Sequence, residues 1–109
     1  MAGWQVTLTD QAQAEVRGLP TDMQARFLRI AEMIESFGPE HVGMPHVRPL
    51  GDKLFEMRIT GRTGIARAIY FPATGKQVVV VRAFVKKSQK TPKREIALAQ
   101  RRMEEWTDG

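Results

Sequence analysis

The stretch QVVVVRAFV, from Gln77 to Val85, constrains the fold of this 109-residue chain more than any other feature. Successive side chains of a strand point to opposite faces of the sheet. An apolar run without polar alternation therefore indicates a strand that is covered on both faces. We expect this strand to lie centrally in a sheet or beneath helices.

Two further strands are predicted just before this run. LFEMRIT (Leu54–Thr60) alternates, with Phe55, Met57 and Ile59 on one face. IARAIYF (residues 65–71) follows after the turn sequence GRTG, and PATG provides a second turn before the valine run. Short turns between consecutive strands favour an antiparallel meander.

The remaining segments predict one more strand and three helices. WQVTLT (Trp4–Thr9) alternates as a first strand, and capping-box patterns predict helices that begin at Asp10 and Thr21. Residues 40–52 are interpreted as a connection, and a last helix is predicted from about Thr91, which we take as its cap. The predicted fold is α+β, in the order β-α-α-β-β-β-α. It has an antiparallel β-sheet, an N-terminal helical hairpin and a C-terminal helix. The length allows one core, so residues 1–109 are expected to form a single domain.

Charge is distributed unevenly along the chain. Residues 1–47 carry a balance of −3 and residues 48–109 a balance of +8, which together make the net charge of +5. The segment AFVKKSQKTPKRE (Ala83–Glu95) alone contains five basic residues, where the valine strand leads into the last helix. Such a basic half suggests a polyanionic partner, most often nucleic acid. The alternative at this point is a solvated surface that keeps the protein in solution.

Several chemistries are not indicated by the composition. The chain has no Cys, and therefore no thiolate nucleophile, disulfide or cysteine metal site. No apolar run approaches the length of a membrane span and no signal pattern opens the sequence, so a cytoplasmic protein without membrane contact is expected. His41 and His46 are the only histidines, and we interpret them as solvated loop residues. Neither a metal nor another cofactor is implied.

Three motifs resemble the RelE/HigB-type toxins of bacterial toxin–antitoxin systems, in particular their phage-derived branch. They are LFEMR, the Arg-x-x-Tyr of residues 67–70, and FVKKSQKTPKREIALA. The resemblance implies a RelE-like fold and an endoribonuclease that cuts mRNA in the ribosomal A site without a metal ion. It also implies silencing by a cognate antitoxin of the helix-turn-helix, HigA-like kind, with operator DNA bound only through the toxin–antitoxin complex.

The resemblance also implies site residues. Arg58 lies where the family has a basic residue, and Arg67 matches the phosphate-binding arginine. Lys86 or Lys87 matches the basic residue at the end of the last strand, and Lys87 is taken as the catalytic one. Glu56 stands where some relatives carry a lysine, so it is a candidate base or a structural partner of an arginine. The expected RNA-binding rim consists of Lys86, Lys90, Lys93, Arg94 and Arg82.

Alternatives remain open from the sequence alone. Arg67 could be paired with Glu56 or Glu95, and Lys90 and Glu95 are weaker candidates for the base. The chain could be a non-catalytic RNA-binding module of the same fold. A DNA-binding transcription factor is disfavoured because no helix-turn-helix pattern is present. Most of the eight aromatic residues occupy core-like positions, so base stacking is unpromising.

Overall fold

A computed structural model describes residues 3–42, 46–87 and 89–106. Its elements, in chain order, are β1 (Gln5–Leu8), α1 (Asp10–Arg17), α2 (Thr21–Phe37), a short 3-10 helix (Pro39–His41), β2 (Val47–Gly51), β3 (Leu54–Gly61), β4 (Gly64–Ala73), β5 (Gln77–Val85) and α3 (Lys93–Glu105). Within these ranges no helix combines the length and the apolar character needed to cross a membrane.

All five strands form one sheet in the order β1-β5-β4-β3-β2. The predicted α+β fold is confirmed, and β3, β4 and β5 form the expected antiparallel meander. β2, which was not predicted, pairs antiparallel with β3. The sheet as a whole is mixed, however, because β1 pairs in parallel with β5. The valine strand β5 therefore has a hydrogen-bonded neighbour on each side, β4 and β1. At the outer side of β1, the backbone nitrogen of Val6 donates to a carboxylate oxygen of Glu35 on α2, at 3.0 Å.

β2 is a strand in the segment that the sequence analysis interpreted as a connection. Pro49 lies in its middle and pairs with Phe55 of β3, with an irregularity before Gly51. Proline cannot donate to a neighbouring strand and is therefore confined to edge strands and bulges. β2 is such an edge, so the proline and glycine that look like loop residues are compatible with a strand.

The valine strand is covered on both faces, as predicted. Val78 and Val80 belong to the core that the sheet forms with α1 and α2, whereas Val79 and Val81 belong to the core beneath α3. Met23, Phe27, Ile30 and Ile34 supply the buried face of α2, at the expected helical spacing. The sheet is therefore sandwiched between the helical hairpin and the C-terminal helix.

A β-bulge interrupts the pairing of β4 with β5. Ile69 pairs with Arg82 but Tyr70 pairs with Val80, so Val81 is the extra residue on β5. A bulge shifts the alternation of side chains beyond it. Ala83 consequently joins the core of the helical hairpin, while the side chain of Phe84 packs against the core beneath α3.

All three helix caps differ from the predicted ones by one residue. Pro20, not Thr21, is the N-cap of α2, and it makes no side-chain cap hydrogen bond. Thr9, not Asp10, caps α1, and its hydroxyl accepts a hydrogen bond from the backbone nitrogen of Ala12 at 3.1 Å. Pro92 occupies the N-cap position of α3 and makes no side-chain cap hydrogen bond. The hydroxyl of Thr91, which we expected to cap that helix, is instead directed into the sheet.

Gly61, at the end of β3, provides a test of how closely α2 packs on the sheet. A Cβ atom there would lie 2.7 Å from Met23 Cγ and 2.9 Å from the carboxylate oxygen of Asp22 that accepts a hydrogen bond from the Arg62 nitrogen. We expect Gly61→Ala to lower the free energy of unfolding by about 1–3 kcal/mol, as overpacking does. Urea denaturation measures this, with Gly18→Ala as a control because its added Cβ meets only ordinary contacts. Equal stabilities of the two variants would contradict the close packing.

Candidate functional site

A buried ion pair lies on the sheet face beside α3. Glu56 of β3 is 2% exposed and Arg67 of β4 is 4% exposed. Nη1 of Arg67 forms an ion pair with Oε2 of Glu56, and the hydroxyl of Thr91 donates to Oε1. Arg67 also donates to the Thr91 hydroxyl and to the carbonyl oxygen of Gln89, both at 3.0 Å. The pair therefore joins two strands to the loop that precedes α3.

A second arginine contacts the same carboxylate from the edge strand. Nε of Arg48 donates to Oε2 of Glu56 at 3.1 Å, and the Arg48 side chain is 43% exposed. Burial, and then the positive charge of Arg48, lowers the pKa of Arg67. Among the described residues, Nε of Arg67 is a buried nitrogen without a hydrogen-bond partner. One carboxylate thus faces two guanidinium groups, and the site keeps a positive excess.

Two more cations extend this excess. Arg58 lies directly opposite Arg67 in the β3–β4 pairing and is exposed. Lys86 follows β5 and is half-buried, and its backbone nitrogen donates to the carbonyl oxygen of Ile65 at 2.7 Å. Burial lowers the pKa of the Lys86 amine, and the charges of Arg67, Arg58 and Arg48 lower it further.

We call these four residues, Arg48, Arg58, Arg67 and Lys86, the basic face. Among the described residues, Glu56 is the one acid that forms an ion pair with any of them. Exposed guanidinium groups are suited to binding the oxygens of a phosphate. An amine with a lowered pKa gives up its proton more readily than an ordinary lysine.

Arg82 belongs to a different network. It donates to Glu95 of α3 and Glu15 of α1, each at 2.7 Å, and Arg102 of α3 donates to Glu15 at 3.0 Å. Glu15 also accepts a hydrogen bond from the backbone nitrogen of Ala83, at 3.1 Å. The hydrogen bond with Glu95 is the largest of the causes that raise the pKa of Arg82. Two arginines and two glutamates balance each other here, so this network ties helices to the sheet without a surplus of charge.

The structure brings only part of the predicted catalytic set together. Glu56, Arg58 and Arg67 are neighbours on β3 and β4, and Glu56 is the structural partner of Arg67, one of the two alternatives left open. Lys86 contributes to the basic face, whereas Lys87 lines a separate cleft beside Arg94.

The predicted RNA-binding rim is divided in the same way. Lys90, Lys93 and Arg94 are exposed along the loop and the first turn of α3. Arg82 is held in the balanced network with Glu95, which was a weaker candidate for the base.

Sequence analysis missed two members of the site. Arg48 lies on β2, which was interpreted as a connection, and Thr91 was assigned to a helix cap. His41 is exposed, and His46 offers its backbone carbonyl to the nitrogen of Arg58 at 2.7 Å. Across the part of the chain that the structure describes, no three His, Asp or Glu side chains are grouped as metal ligands would be.

Comparisons with known proteins agree with this architecture. Residues 14–104 match the family model described as phage derived protein Gp49-like. A chain of the RelBE2 toxin–antitoxin complex from Mycobacterium tuberculosis is 19% identical, with a TM-score of 0.57, over 77% of this chain and 99% of that one. A chain of the RelE–RelB complex from Pyrococcus horikoshii OT3 is 22% identical, with a TM-score of 0.57, over 76% of this chain and 94% of that one. No curated protein matches the sequence significantly.

The buried ion pair leads to a stability prediction. Glu56→Gln leaves the buried guanidinium of Arg67 uncompensated, so we expect it to lower the free energy of unfolding by about 3–5 kcal/mol. Arg48→Gln removes the exposed partner of the same carboxylate and is expected to cost at most about 1 kcal/mol. Both values come from urea denaturation at neutral pH. A loss for Glu56→Gln as small as that for Arg48→Gln would show that the pair does not hold the sheet and loop together.

Proposed function

The chain belongs to the phage-derived Gp49-like family and has a RelE-like fold, and from this we propose that it is the toxin of a toxin–antitoxin system that cleaves mRNA in the ribosomal A site. The observation that carries the proposal is the basic face, in which exposed Arg48 and Arg58 and half-buried Lys86 accompany the buried pair of Arg67 and Glu56. A phosphodiester bound there meets several cations and a group that can exchange a proton.

The proposed reaction is a transesterification within the RNA. The ribose 2′-oxygen forms a bond with the adjacent phosphorus, and the bond from phosphorus to the 5′-oxygen breaks. The leaving 5′-oxygen takes a proton from solvent water, so the products are a 2′,3′-cyclic phosphate and a 5′-hydroxyl. We assign Arg58 and Arg48 to the phosphate oxygens, where negative charge grows in the transition state. The amine of Lys86 is assigned to accept the proton of the 2′-hydroxyl. Lys86 follows β5 opposite Ile65, beside the arginines of the basic face, and burial and their charges lower the pKa of its amine.

Arg67 and Glu56 then act as positioning residues. The guanidinium of Arg67 is committed to Glu56, Thr91 and the Gln89 carbonyl, so it holds the sheet and the loop in register. Lys87 and the exposed rim of Lys90, Lys93 and Arg94 are assigned to the RNA backbone. Neutralising phosphates in this way makes binding strongly dependent on salt.

The partners follow from the same proposal. The structures of similar fold are toxin–antitoxin complexes, which supports a cognate antitoxin for this chain, and we propose one of the helix-turn-helix kind whose complex binds operator DNA. Action on ribosome-bound mRNA would take place in the cytoplasm. No step of the proposed chemistry uses a metal ion.

Expression in a bacterium tests the function directly. We expect induction of this chain to stop translation and growth, and purified protein to cut ribosome-bound mRNA to 2′,3′-cyclic phosphate ends. Cutting should persist in chelator at concentrations that leave the ribosomes competent. Normal growth with soluble protein present would contradict the toxin. RNA binding without cleavage would favour the alternative, a non-catalytic RNA-binding module.

The assignment of Lys86 leads to a pH prediction. An amine acts as a base in its neutral form, so the single-turnover cleavage rate should rise with pH until the lowered pKa of Lys86 is passed. Lys86→Arg keeps the positive charge, but the guanidinium of an arginine stays protonated at every pH at which the rate is measured. We expect it to bind RNA normally, cut about 10²–10⁴-fold more slowly, and lose this rise.

Lys53→Arg is the matched control, because Lys53 is an exposed lysine in the turn between β2 and β3 and is not among the residues assigned to RNA. It should retain the parental rate and pH profile. Parental behaviour of Lys86→Arg would remove Lys86 from the chemistry while leaving the toxin proposal in place.

A further inference from the structure

A second cleft lies beside the basic face, at the start of α3. It has a volume of about 290 Å³ and is lined by Phe84, Pro92, Arg82, Lys87 and Arg94, among others. Phe84 is the cross-strand partner of Arg67, so the cleft and the basic face adjoin on the same sheet. The volume is near the lower end for sites that hold a small organic group.

Flat groups form the interior of this cleft. The guanidinium carbon of Arg82 lies over the ring of Phe84, 5.5 Å from its centroid. Glu95 and Glu15 fix that guanidinium through hydrogen bonds of 2.7 Å and balance its charge. The ring is half-exposed, with its inner part against the core beneath α3. The platform is therefore rigid before any ligand arrives, which reduces the ordering cost of binding.

Cations are placed where a sugar–phosphate chain would leave such a cleft. Lys87 and Arg94 line it and are exposed, and the described ion pairs include neither of them. An aromatic platform beside basic side chains is the arrangement by which proteins hold single-stranded nucleic acid, with bases stacked on rings and phosphates on cations.

We propose that this cleft holds one nucleobase of single-stranded RNA, stacked against Phe84, next to the phosphate bound on the basic face. The identity of that phosphate as the scissile one rests on the proposed function, whereas the stacking does not. Glu95 also lines the cleft, but each of its carboxylate oxygens already accepts a hydrogen bond from Arg82. The base is consequently held by stacking, and the cleft tolerates all four bases.

Binding of short RNA in the absence of ribosomes tests the cleft. The probes are a hexaribonucleotide and the same backbone with one abasic nucleotide placed at each position in turn. The variants are Phe84→Leu, which keeps apolar bulk in the core but removes the ring, and Phe84→Tyr, which keeps the ring. Phe37→Leu is the matched control because Phe37 is 62% exposed at the end of α2. Thermal melts check that every variant is folded.

Loss of base–aromatic stacking weakens binding by about fivefold or more. We expect Phe84→Leu to show this loss with intact RNA, and Phe84→Tyr and Phe37→Leu to bind as the parent does. One abasic position should weaken parental binding by a similar factor, and at that position Phe84→Leu should add no further loss. This absence of additivity identifies the base that the ring contacts.

Two results would overturn the cleft as a base site. One is RNA that binds equally with and without each base, or does not bind at all. The other is a loss of affinity in Phe84→Leu that is the same for intact RNA and for RNA abasic at any position. If Phe84→Leu does not fold, equal binding of intact and abasic RNA by Phe84→Tyr overturns the proposal instead. Cleavage on ribosomes is scored separately. Cutting without base-dependent binding contradicts only the cleft, and base-dependent binding without cutting contradicts only the nuclease.

Discussion

The ion pair between Glu56 and Arg67 organises the polar half of this molecule. A charge buried on a sheet is tolerated only when it is paired and its remaining hydrogen-bonding positions are filled. Thr91 and the carbonyl of Gln89 provide those partners, and both belong to the loop before α3. The buried ion pair therefore anchors the loop that leads into the last helix. The same pair occupies the centre of the face, so Arg48 and Arg58 are left at its exposed margin.

The two charged clusters of the protein differ in net charge. The neutral cluster connects elements of the fold, whereas the cluster with a positive excess is the one suited to binding an anion. Around Arg82, the opposite charges of two arginines and two glutamates cancel, and every contact joins one element to another. On the basic face, Arg48 and Arg67 pair with the single carboxylate of Glu56, while the charges of these two arginines and of Arg58 act on nearby Lys86. Repulsion among those cations disfavours the unliganded state, and an arriving anion relieves it. The positive excess of this cluster is what supports its proposed role in binding phosphate.

Periodicity predicted the elements that depend on apolar burial. The valine strand, the buried face of α2 and the antiparallel meander all follow from local patterns of the residues concerned. β2 was missed because its Pro49 and Gly51 are turn residues by composition, and their place on an edge is a property of the whole sheet.

The site was harder to predict, because partners in a sheet are set by register. No local pattern states which of two glutamates pairs with Arg67, or that Thr91 turns inward rather than capping α3. The face that Phe84 occupies could not be predicted for a similar reason, since the bulge at Val81 changes the face of every later residue in β5. Local sequence predicts the burial of a side chain well and its partner poorly.

The edge of the sheet at β1 has a consequence for assembly. There the backbone nitrogen of Val6 is occupied by Glu35, and beyond the end of β1 the nitrogen of Ala83 is occupied by Glu15. A strand from another chain extends a sheet by accepting from such nitrogens, and these two are already used by helix carboxylates. At the opposite edge, Pro49 has no nitrogen hydrogen to offer. At these positions, both margins of the sheet therefore lack the free donors that an added strand from another chain would need.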